Sequence, residues 1–230
     1  MTALIFNDGL GLAGSSQSRL AGVFNGGAAR VGQGGVGVSV NGSTGNLVVN
    51  DQDEILVGRG LDIIAERTYN SAGAWNDSDA NGWRFGFERS LTLNGTRNAV
   101  GSTITRTLGD GQAEVYAFVG NGIYESRNGQ GEFDQITSSG TDFIWTHRAT
   151  GAKDFFNSAG QLWRSLDADG NVRRYSYVGA GKLEKIMFGD PGPTAGDEMH
   201  FSYNATGKLS TLSTVTGGVK TLEVTYIYDA

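Results

Sequence analysis

The chain has 230 residues with a net charge of −6 and a pI of about 4.9, and it contains 37 glycines, two prolines and no cysteine. The lack of cysteine excludes disulfides and thiolate sites, and two histidines are too few for a His/Cys zinc site. The acidic balance argues against a nucleic acid or an anionic membrane surface as partner, and no apolar run approaches the roughly 18 residues of a membrane span.

Residues 1–45 form a glycine-rich segment that contains neither Trp nor Tyr. This composition is typical of a flexible or loosely packed leader. Within it, Val36, Val38 and Val40 alternate with small residues, which favours one short strand. No helical pattern follows the glycine motifs of this segment, so we expect no dinucleotide to bind there.

From residue 46 onward the pattern is that of an all-β protein. Short runs of Val, Ile and Leu are broken by Gly, Asn and Asp, and no convincing helix is longer than two turns. Residues 102–119, STITRTLGDGQAEVYAFV, predict a hairpin with a glycine-rich turn. Later runs such as TDFIWTH and MHFSY place aromatic side chains on one face, which indicates half-buried strands. We predict a β-rich region over residues 46–150 and a region of hairpin repeats over residues 151–230.

Residues 77–88, DSDANGWRFGFE, match the calcium-loop pattern D-x-[DN]-x-[DN]-G-x5-E, with Asp77, Asp79 and Asn81 at ligand positions. An EF-hand needs a helix on each side of the loop. Here the aromatic residues from position 83 onward alternate as in a strand, which would carry Glu88 about 20 Å from the turn at roughly 3.3 Å per residue. Calcium at the D-x-D-x-N-G turn is therefore a hypothesis, a solvated loop is the alternative, and no other cofactor is expected.

The last third of the chain contains an internal repeat, in which an aromatic residue is followed four positions later by Gly and six positions later by Leu. The copies are Phe156, Gly160 and Leu162; Tyr177, Gly181 and Leu183; Tyr203, Gly207 and Leu209; and a fourth that begins at Tyr228. The aromatic positions are 21, 26 and 25 residues apart, which is typical of repeat architectures. We expect each Gly to have positive φ in a bulged turn and each Leu to return to the sheet. Stacked units would then share one continuous sheet.

These units resemble the YD repeats of RHS (rearrangement hot spot) and teneurin-type proteins. The spacer LDADGNVRRYSY and the upstream blocks GWRFGFERSLTL and GSTITRTLGDGQAEVY are similar to the same family, so the resemblance covers roughly residues 45–230. The resemblance implies antiparallel hairpin repeats in a continuous curved or spiralling sheet. In bacterial toxins of this family the sheet forms a shell around a C-terminal effector, and in teneurins it supports adhesion. This chain lacks the family's self-cleaving core, so we do not transfer a cleavage activity to it.

The sequence shows no residue set that indicates catalysis. His147 and His200 have no nucleophile motif nearby, and G-x-S-x-G is absent. We therefore predict that the protein is not an enzyme. The predicted function is that of a structural, non-catalytic β-shell segment of a secreted or cell-surface bacterial RHS/YD-repeat protein, whose partner is the remainder of a longer RHS-type chain.

Two alternatives use the same fold. The fourth repeat stops soon after Tyr228, so an identical subunit could complete it by β-strand addition and build a filament or ring. Alternatively, Trp75, Trp83, Trp145 and Trp163 could form a glycan-stacking surface for adhesion, although packing is the commoner role of such residues.

Overall fold

The computed structural model describes residues 17–19, 30–31, 36–41, 45–58, 61–71, 83–126, 134–179, 181–189 and 196–228. Within these ranges the chain consists of β-strands joined by turns and contains no helix. All strand pairs are antiparallel, and the strands form two sheets. The predicted all-β, antiparallel fold is therefore confirmed.

The first sheet precedes the repeats in the chain. Its six strands are β1 (Gln17–Arg19), β2 (Arg30–Val31), β3 (Val36–Asn41), β4 (Leu47–Leu56), β5 (Ile63–Asn70) and β6 (Trp83–Phe85). The strand order is β1-β3-β4-β5-β6, and β2 also pairs with β3. β3 confirms the short strand predicted from the alternating valines. A bulge between Gln52 and Glu54 interrupts the pairing of β4 with β5.

The second sheet contains thirteen strands, and each pairs with the next one along the chain. They are β7 (Ser90–Asn94), β8 (Thr103–Thr107), β9 (Ala113–Gly120), β10 (Ile123–Glu125), β11 (Gln135–Ser139), β12 (Asp142–Thr146), β13 (Lys153–Phe156), β14 (Leu162–Leu166), β15 (Val172–Val178), β16 (Lys182–Phe188), β17 (Glu198–Tyr203), β18 (Leu209–Thr216) and β19 (Val219–Thr225). The hairpin predicted from residues 102–119 is β8–β9. The sheet is thus one continuous series of hairpins.

One face of the second sheet forms the apolar core, because large side chains alternate along its strands. The fully buried side chains on this face include Tyr116, Tyr124, Phe156, Ile104, Ile136, Leu162, Ile186, Met199 and Leu212. Ile63 and Ala65 of β5 belong to the same cluster. The first sheet therefore packs against the inner face of the second.

The second sheet curls until its first strand meets the turn between β13 and β14. Leu91 N donates a hydrogen bond to Gly160 O at 2.9 Å, and Ser90 forms an isolated antiparallel bridge with Gln161. Gly160 has a φ of 78°, and a Cβ at this position would lie 1.8 Å from Leu91 O. Only glycine permits so close a backbone approach. The turn of the first repeat thus holds the starting edge of the sheet.

A cluster of four aromatic rings joins the first sheet to the last strands. Phe85 and Phe87 stack with their ring centroids 4.9 Å apart. Phe201 of β17 packs edge-on against both rings, with centroid distances of 6.3 Å and 4.8 Å. Tyr226, just after β19, packs edge-on against Phe85 at 6.2 Å. The segment after β6 therefore lies against the C-terminal end of the repeat sheet.

The predicted strand from residue 83 to Glu88 is longer than the one in the structure. β6 ends at Phe85, and Gly86 and Phe87 form a turn. Glu88 Oε2 accepts a hydrogen bond from Phe85 N at 2.9 Å, which stabilises that turn. Gly109 approaches so closely that a Cβ on it would lie 2.4 Å from the Gly86 Cα. The alternating aromatic pattern could not reveal this approach of two backbones.

Candidate functional site

The predicted repeat residues occupy equivalent places in three hairpins. Across each turn the aromatic residue pairs with the leucine beside a bulge: Phe156 with Leu162, Tyr177 with Leu183, and Tyr203 with Leu209. Gly160, Gly181 and Gly207 have φ values of 78°, 85° and 84°, the sign expected from the sequence. Each unit is thus a bulged hairpin with a left-handed glycine.

Asparagine caps two of these turns. Asn157 Oδ1 accepts hydrogen bonds from the backbone N of Ala159 and Gln161, both at 3.0 Å. Asn204 Oδ1 accepts the equivalent bonds from Thr206 and Lys208 at 3.0 Å and 2.9 Å. An asparagine directly after the aromatic residue therefore fixes the turn conformation locally.

Each later repeat is hydrogen-bonded to the repeat before it. The tyrosine hydroxyl donates to the carbonyl oxygen of the preceding leucine: Tyr177 to Leu162 at 2.6 Å, Tyr203 to Leu183 at 2.9 Å, and Tyr228 to Leu209 at 2.8 Å. We call these three bonds the tyrosine ladder. The signature tyrosine and leucine are therefore partners between successive units as well as within one hairpin.

The side chain that follows each repeat glycine also contacts the next repeat. Gln161 Nε2 donates to Gly181 O at 3.4 Å. Lys182 Nζ donates to Gly207 O, and the same ammonium lies 4.6 Å from the centroid of the Tyr203 ring. The repeated turns thus form a second line of contacts beside the tyrosine ladder.

We expect Tyr203→Phe to lower the free energy of unfolding by about 1 kcal/mol, because it removes one ladder bond and leaves the Leu183 carbonyl without that donor. Urea unfolding of the purified chain measures the change. Tyr69→Phe is the matched control, because the structure gives the Tyr69 hydroxyl no side-chain hydrogen bond among the described residues. Equal losses in the two variants would contradict a stabilising role of the ladder.

A buried ionic network lies where β7–β9 meet β13. Arg89 Nη1 and Asp154 Oδ2 are 2.5 Å apart, and Arg106 Nη2 lies 3.6 Å from the same oxygen. Arg106 Nη1 also pairs with Glu114 Oε2 at 3.1 Å. The side chains of Arg106, Glu114 and Asp154 are 6%, 4% and 4% exposed, so water screens these pairs little. We call Arg89, Arg106, Glu114 and Asp154 the junction network; its two cations balance its two carboxylates.

Two aromatic side chains extend the junction network. Tyr116 OH donates to Glu114 Oε2 at 2.8 Å, and Trp145 Nε1 donates to Tyr116 OH at 3.1 Å. The Arg106 guanidinium lies 3.6 Å from the centroid of the Trp145 ring, which is a close cation–π contact. These contacts join β8 and β9 to β12 across the inside of the curled sheet.

Three tyrosines predict how stability depends on alkaline pH. Burial is the largest cause that raises the pKa of Tyr116, Tyr177 and Tyr226, and the neighbouring Glu114 and Asp53 raise it further for the first and the last. The folded chain therefore keeps these phenols protonated at a pH where the unfolded chain ionises them, near pH 10. Their contribution to stability is fully present below about pH 10 and is lost as the pH rises above it.

The measurement combines urea unfolding between about pH 8 and pH 11 with the ultraviolet absorbance of phenolate. We expect the unfolding free energy to fall above about pH 10 while phenolate absorbance develops mainly on unfolding. Constant stability over that range, or full phenolate absorbance in the folded chain, would contradict the burial of these hydroxyls.

A second polar contact fixes the first sheet to the end of the repeats. Arg67 binds Asp53 through two bonds, Nε to Oδ2 at 2.6 Å and Nη2 to Oδ1 at 2.7 Å, and it also contacts Asp51 at 3.0 Å. Tyr226 OH donates to Asp53 Oδ2 at 2.5 Å across 173 residues of sequence. The Arg67 guanidinium lies 5.1 Å from the Trp83 ring and 5.5 Å from the Tyr226 ring. β4 and β5 thus hold the residues that follow β19.

The residues of the calcium hypothesis, Asp77, Asp79 and Asn81, lie outside the described residues, so the hypothesis stays a prediction. In the part of the chain that the structure does describe, no group of three or more His, Asp or Glu side chains is placed to hold a metal ion. The same part contains no helix that is long and apolar enough to cross a bilayer.

The two histidines make local contacts. His200 lies on the opposite side of β17 from the buried Phe201, and its Nε2 is 2.5 Å from Glu198 Oε2. His147 Nδ1 is 2.7 Å from Thr150 Oγ1. The His147 ring also packs against Trp145, with ring centroids 5.8 Å apart, so His147 borders the aromatic extension of the junction network.

The tryptophans do not form one exposed platform among the described residues. Trp145 is 8% exposed and belongs to the core. Trp83 packs against Tyr69 at 5.8 Å, and Trp163 packs against Phe155 at 5.8 Å. Trp75 lies outside the described residues, and the other three tryptophans share no aromatic surface, so glycan binding stays a prediction.

The junction network was not predicted from the sequence. Arg106 and Glu114 carry a signal, because they stand in phase with the buried Ile104 and Tyr116 and are cross-strand partners in the predicted hairpin. A charged pair at inward positions indicates a buried ion pair rather than a solvated face. Asp154 carries a weaker signal, since its partner Arg89 lies 65 residues earlier.

Residues 37–116 match the model of a family described as a domain of unknown function, DUF6531. The match extends from β3 through Tyr116 in β9, so it includes most of the first sheet and the start of the second. It also includes Arg89, Arg106 and Glu114, whereas Asp154 lies beyond it. The junction network therefore connects the matched region to the strands that follow it.

The chain is also similar to large bacterial nucleases. It is 26% identical over 141 residues to the tRNA nuclease WapA of Bacillus subtilis strain 168. The same figures hold for the tRNA(Glu)-specific nuclease WapA of Bacillus subtilis subsp. natto and the tRNA3(Ser)-specific nuclease WapA of Bacillus spizizenii. The similarity covers 60% of this chain and only 6% of each relative. Together with the family match, it is loosely consistent with an RHS-type protein.

The prediction that the protein is not an enzyme is wrong. The three relatives are named as tRNA nucleases, and this similarity contradicts an assignment based on the absence of catalytic motifs. Motif searches within 230 residues could not show the activity of relatives of which this chain covers so small a part.

Proposed function

We propose that this chain is a wall-forming segment of a secreted or cell-surface bacterial protein of the RHS type, and that the complete protein carries a nuclease. The observation that carries the proposal is the unbroken sheet of thirteen strands in chain order, whose repeats are joined by the tyrosine ladder. A sheet of this kind extends by adding one hairpin at a time without changing its geometry.

Three further features support a wall. The buried apolar side chains lie on one face of the sheet, so the sheet has an inside and an outside. The sheet curls until its first strand contacts the turn of the first repeat. The first sheet is held to the C-terminal end of this curl, through the aromatic cluster and through the bond of Tyr226 to Asp53. Rigid curvature of this kind is what an enclosing scaffold requires.

The nuclease part of the proposal rests on the names of the relatives. The relatives are far longer than the 141 residues over which they are similar to this chain. The substrate suggested by those names is tRNA. Assay of the longer protein and of the present chain on total tRNA tests this directly.

The wall is tested by weakening the tyrosine ladder in the longer protein that we propose. The variant Y177F/Y203F/Y228F is expected to make the segments downstream of the repeats more sensitive to limited proteolysis, while Y69F leaves their digestion unchanged. Equal protease resistance of the triple variant and the wild type, despite a measured loss of stability in the variant, would contradict an enclosing role.

A second candidate function is self-assembly by strand addition. β19 is the C-terminal edge strand of the second sheet within the described residues. Lys208 Nζ lies 4.8 Å from the Tyr228 ring, as Lys182 lies over Tyr203, but no described carbonyl accepts a bond from Lys208 as Gly207 does from Lys182. A strand of an identical subunit beside β19 would supply that acceptor.

Light scattering over a range of concentrations tests assembly. We expect oligomers that grow with concentration and that Lys208→Gln weakens. A strict monomer at high concentration, or association that is unchanged in Lys208→Gln, would contradict strand addition at this edge.

A further inference from the structure

An open cavity lies between β5 of the first sheet and the inner face of the second sheet. It has a polar part of about 400 Å³ and an adjoining smaller part of about 180 Å³, and both parts are lined by Glu66, Gly86, Arg89 and Arg173. Arg173 lies two residues before the buried Tyr175 on β15, so both side chains point into the curl. We call the two parts together the inter-sheet cavity.

Arg173 brings a positive charge to the inter-sheet cavity that no carboxylate of the described residues neutralises. The guanidinium donates from Nη1 to the backbone oxygen of Asp62 at 2.5 Å, and its buried Nε has no hydrogen-bond partner within the described part of the chain. Arg89 and Arg106 line the same cavity, but the two carboxylates of the junction network balance them. Arg173 is therefore the guanidinium that remains able to bind an oxyanion.

Glu66 brings the opposite charge to the inter-sheet cavity. It is exposed, and its carboxylate takes part in no ion pair or hydrogen bond with any residue that the structure describes. Glu66 and Arg173 line the same cavity but do not pair with each other, so both charges are available to a ligand. A dianion such as phosphate would be repelled by Glu66, whereas a ligand with one carboxylate and one ammonium group satisfies both side chains.

The smaller part of the inter-sheet cavity adds apolar walls to these two charges. The apolar side chains that line it are Ile63, Ile64, Phe87 and Ile186. Such walls favour methylene groups over water, because apolar surface that leaves water is stabilised by contact with hydrocarbon. The cavity therefore matches a hydrocarbon chain that carries its two charged groups at opposite ends.

We propose that the inter-sheet cavity binds a small zwitterion whose carboxylate and ammonium groups are separated by a short hydrocarbon linker. Arg173 binds the carboxylate, Glu66 binds the ammonium group, and the isoleucines of the smaller part contact the linker. A free ω-amino acid and a lysine at the C-terminus of a peptide both present these groups. The proposal does not depend on the wall function.

Titration calorimetry of the purified chain with 6-aminohexanoate, hexanoate and hexylamine tests the site. We expect 6-aminohexanoate to bind about tenfold or more tightly than either of the others, because each of them lacks one charge-assisted contact. A short peptide that ends in lysine, compared with the same peptide amidated at its C-terminus, distinguishes the two sources. Tighter binding of the unamidated peptide than of 6-aminohexanoate would assign the site to chain ends, and weaker binding would assign it to free amino acids.

Two variants assign the charged groups. Arg173→Gln should weaken 6-aminohexanoate binding about tenfold and leave hexylamine binding unchanged, since it removes the partner of the carboxylate. Glu66→Gln should weaken 6-aminohexanoate binding to a similar extent and leave hexanoate binding unchanged. Arg174→Gln is the matched control, because Arg174 is the next residue of β15 and points to the opposite face. It should leave all affinities unchanged, and urea unfolding shows that each variant is folded.

Three results would overturn the proposal. The first is the absence of 6-aminohexanoate binding by the wild type up to about 10 mM. The second is binding of hexanoate or inorganic phosphate as tight as that of 6-aminohexanoate, which would show an anion site without a role for Glu66. The third is an equal loss of affinity in Arg173→Gln and Arg174→Gln.

Discussion

Replacing Asp154 with Asn is expected to lower the free energy of unfolding by about 3–5 kcal/mol. Asp154 is 3% exposed and is the carboxylate that Arg89 and Arg106 share. Its removal leaves one buried carboxylate, Glu114, for two guanidinium groups, and an unbalanced buried charge is strongly destabilising. The amide of the variant has a single oxygen, so it cannot accept both from Ser165 Oγ, which donates to Asp154 at 2.7 Å, and from the two guanidinium groups.

The loss of stability is large because the Arg89 guanidinium does not easily lose its proton. Burial is the largest single influence and opposes its charged form, but Asp154, Tyr175 and Tyr177 together outweigh burial and hold the pKa of Arg89 above its ordinary value. Arg89 Nη2 keeps its bonds to Ser165 Oγ and Tyr175 OH, at 3.3 Å and 3.2 Å, so the cation stays in place without its partner.

Asp169→Asn is the control for this prediction, because Asp169 is exposed in the turn between β14 and β15. Its loss of stability should stay within about 0.5 kcal/mol. Urea unfolding of both variants and the wild type gives the comparison. An Asp154→Asn variant that is as stable as Asp169→Asn would show that the junction network does not hold β7–β9 to the repeats.

The second large effect is expected at the first repeat glycine. Gly160→Ala should lower the free energy of unfolding by at least about 3 kcal/mol. This loss should exceed that of any other Gly→Ala change in the repeat turns. The new Cβ would lie 1.8 Å from the carbonyl oxygen of Leu91, which is backbone and cannot rotate away. The hydrogen bond from Leu91 N to Gly160 O would be lost as the two segments separate.

Substitutions at two other glycines distinguish the effect of the close contact from the effect of backbone strain. Gly170 has a φ of 87°, and a Cβ at this position would have no atom within 4 Å, so Gly170→Ala should lose only the roughly 1–2 kcal/mol of a left-handed residue. At Gly181 the nearest atom, at 2.6 Å, is the end of the flexible Gln161 side chain. The expected order of loss is therefore Gly160, then Gly181, then Gly170. Equal losses at Gly160 and Gly170 in urea unfolding would contradict the docking of β7 on the first repeat.

The repeats could be predicted from the sequence because the residues that specify each hairpin are close together in the chain. An aromatic residue, a glycine four positions later and a leucine two positions after that specify a strand end, a left-handed turn and a return to the core. The alternation of Met199, Phe201 and Tyr203 likewise specifies which face of β17 is inside. Such signals depend on neighbouring residues within one hairpin. The strands and their buried face can therefore be predicted without the long-range contacts.

The contacts that give the sheet its curvature could not be predicted in the same way. The bond of Tyr226 to Asp53 joins residues 173 positions apart, and no periodicity connects them. Arg89 looks like an ordinary surface charge in the sequence, because its position in a turn after β6 hides its burial. Charged residues become buried partners only when the curl brings β7 onto the first repeat, and that curl is a property of all the intervening strands.

A designed disulfide between Ser90 and Gln161 tests the curled sheet most directly. The chain has no cysteine, so the variant S90C/Q161C contains only these two thiols. Antiparallel bridge partners have Cα atoms about 4.5–5.5 Å apart, which is within the range for a disulfide. S90C/D169C is the control, because β14 separates its second cysteine from position 161 by roughly 25 Å. We predict that mild oxidation closes the disulfide quantitatively in S90C/Q161C alone. A folded S90C/Q161C variant that keeps both thiols free would contradict a wall in which the first strand meets the first repeat.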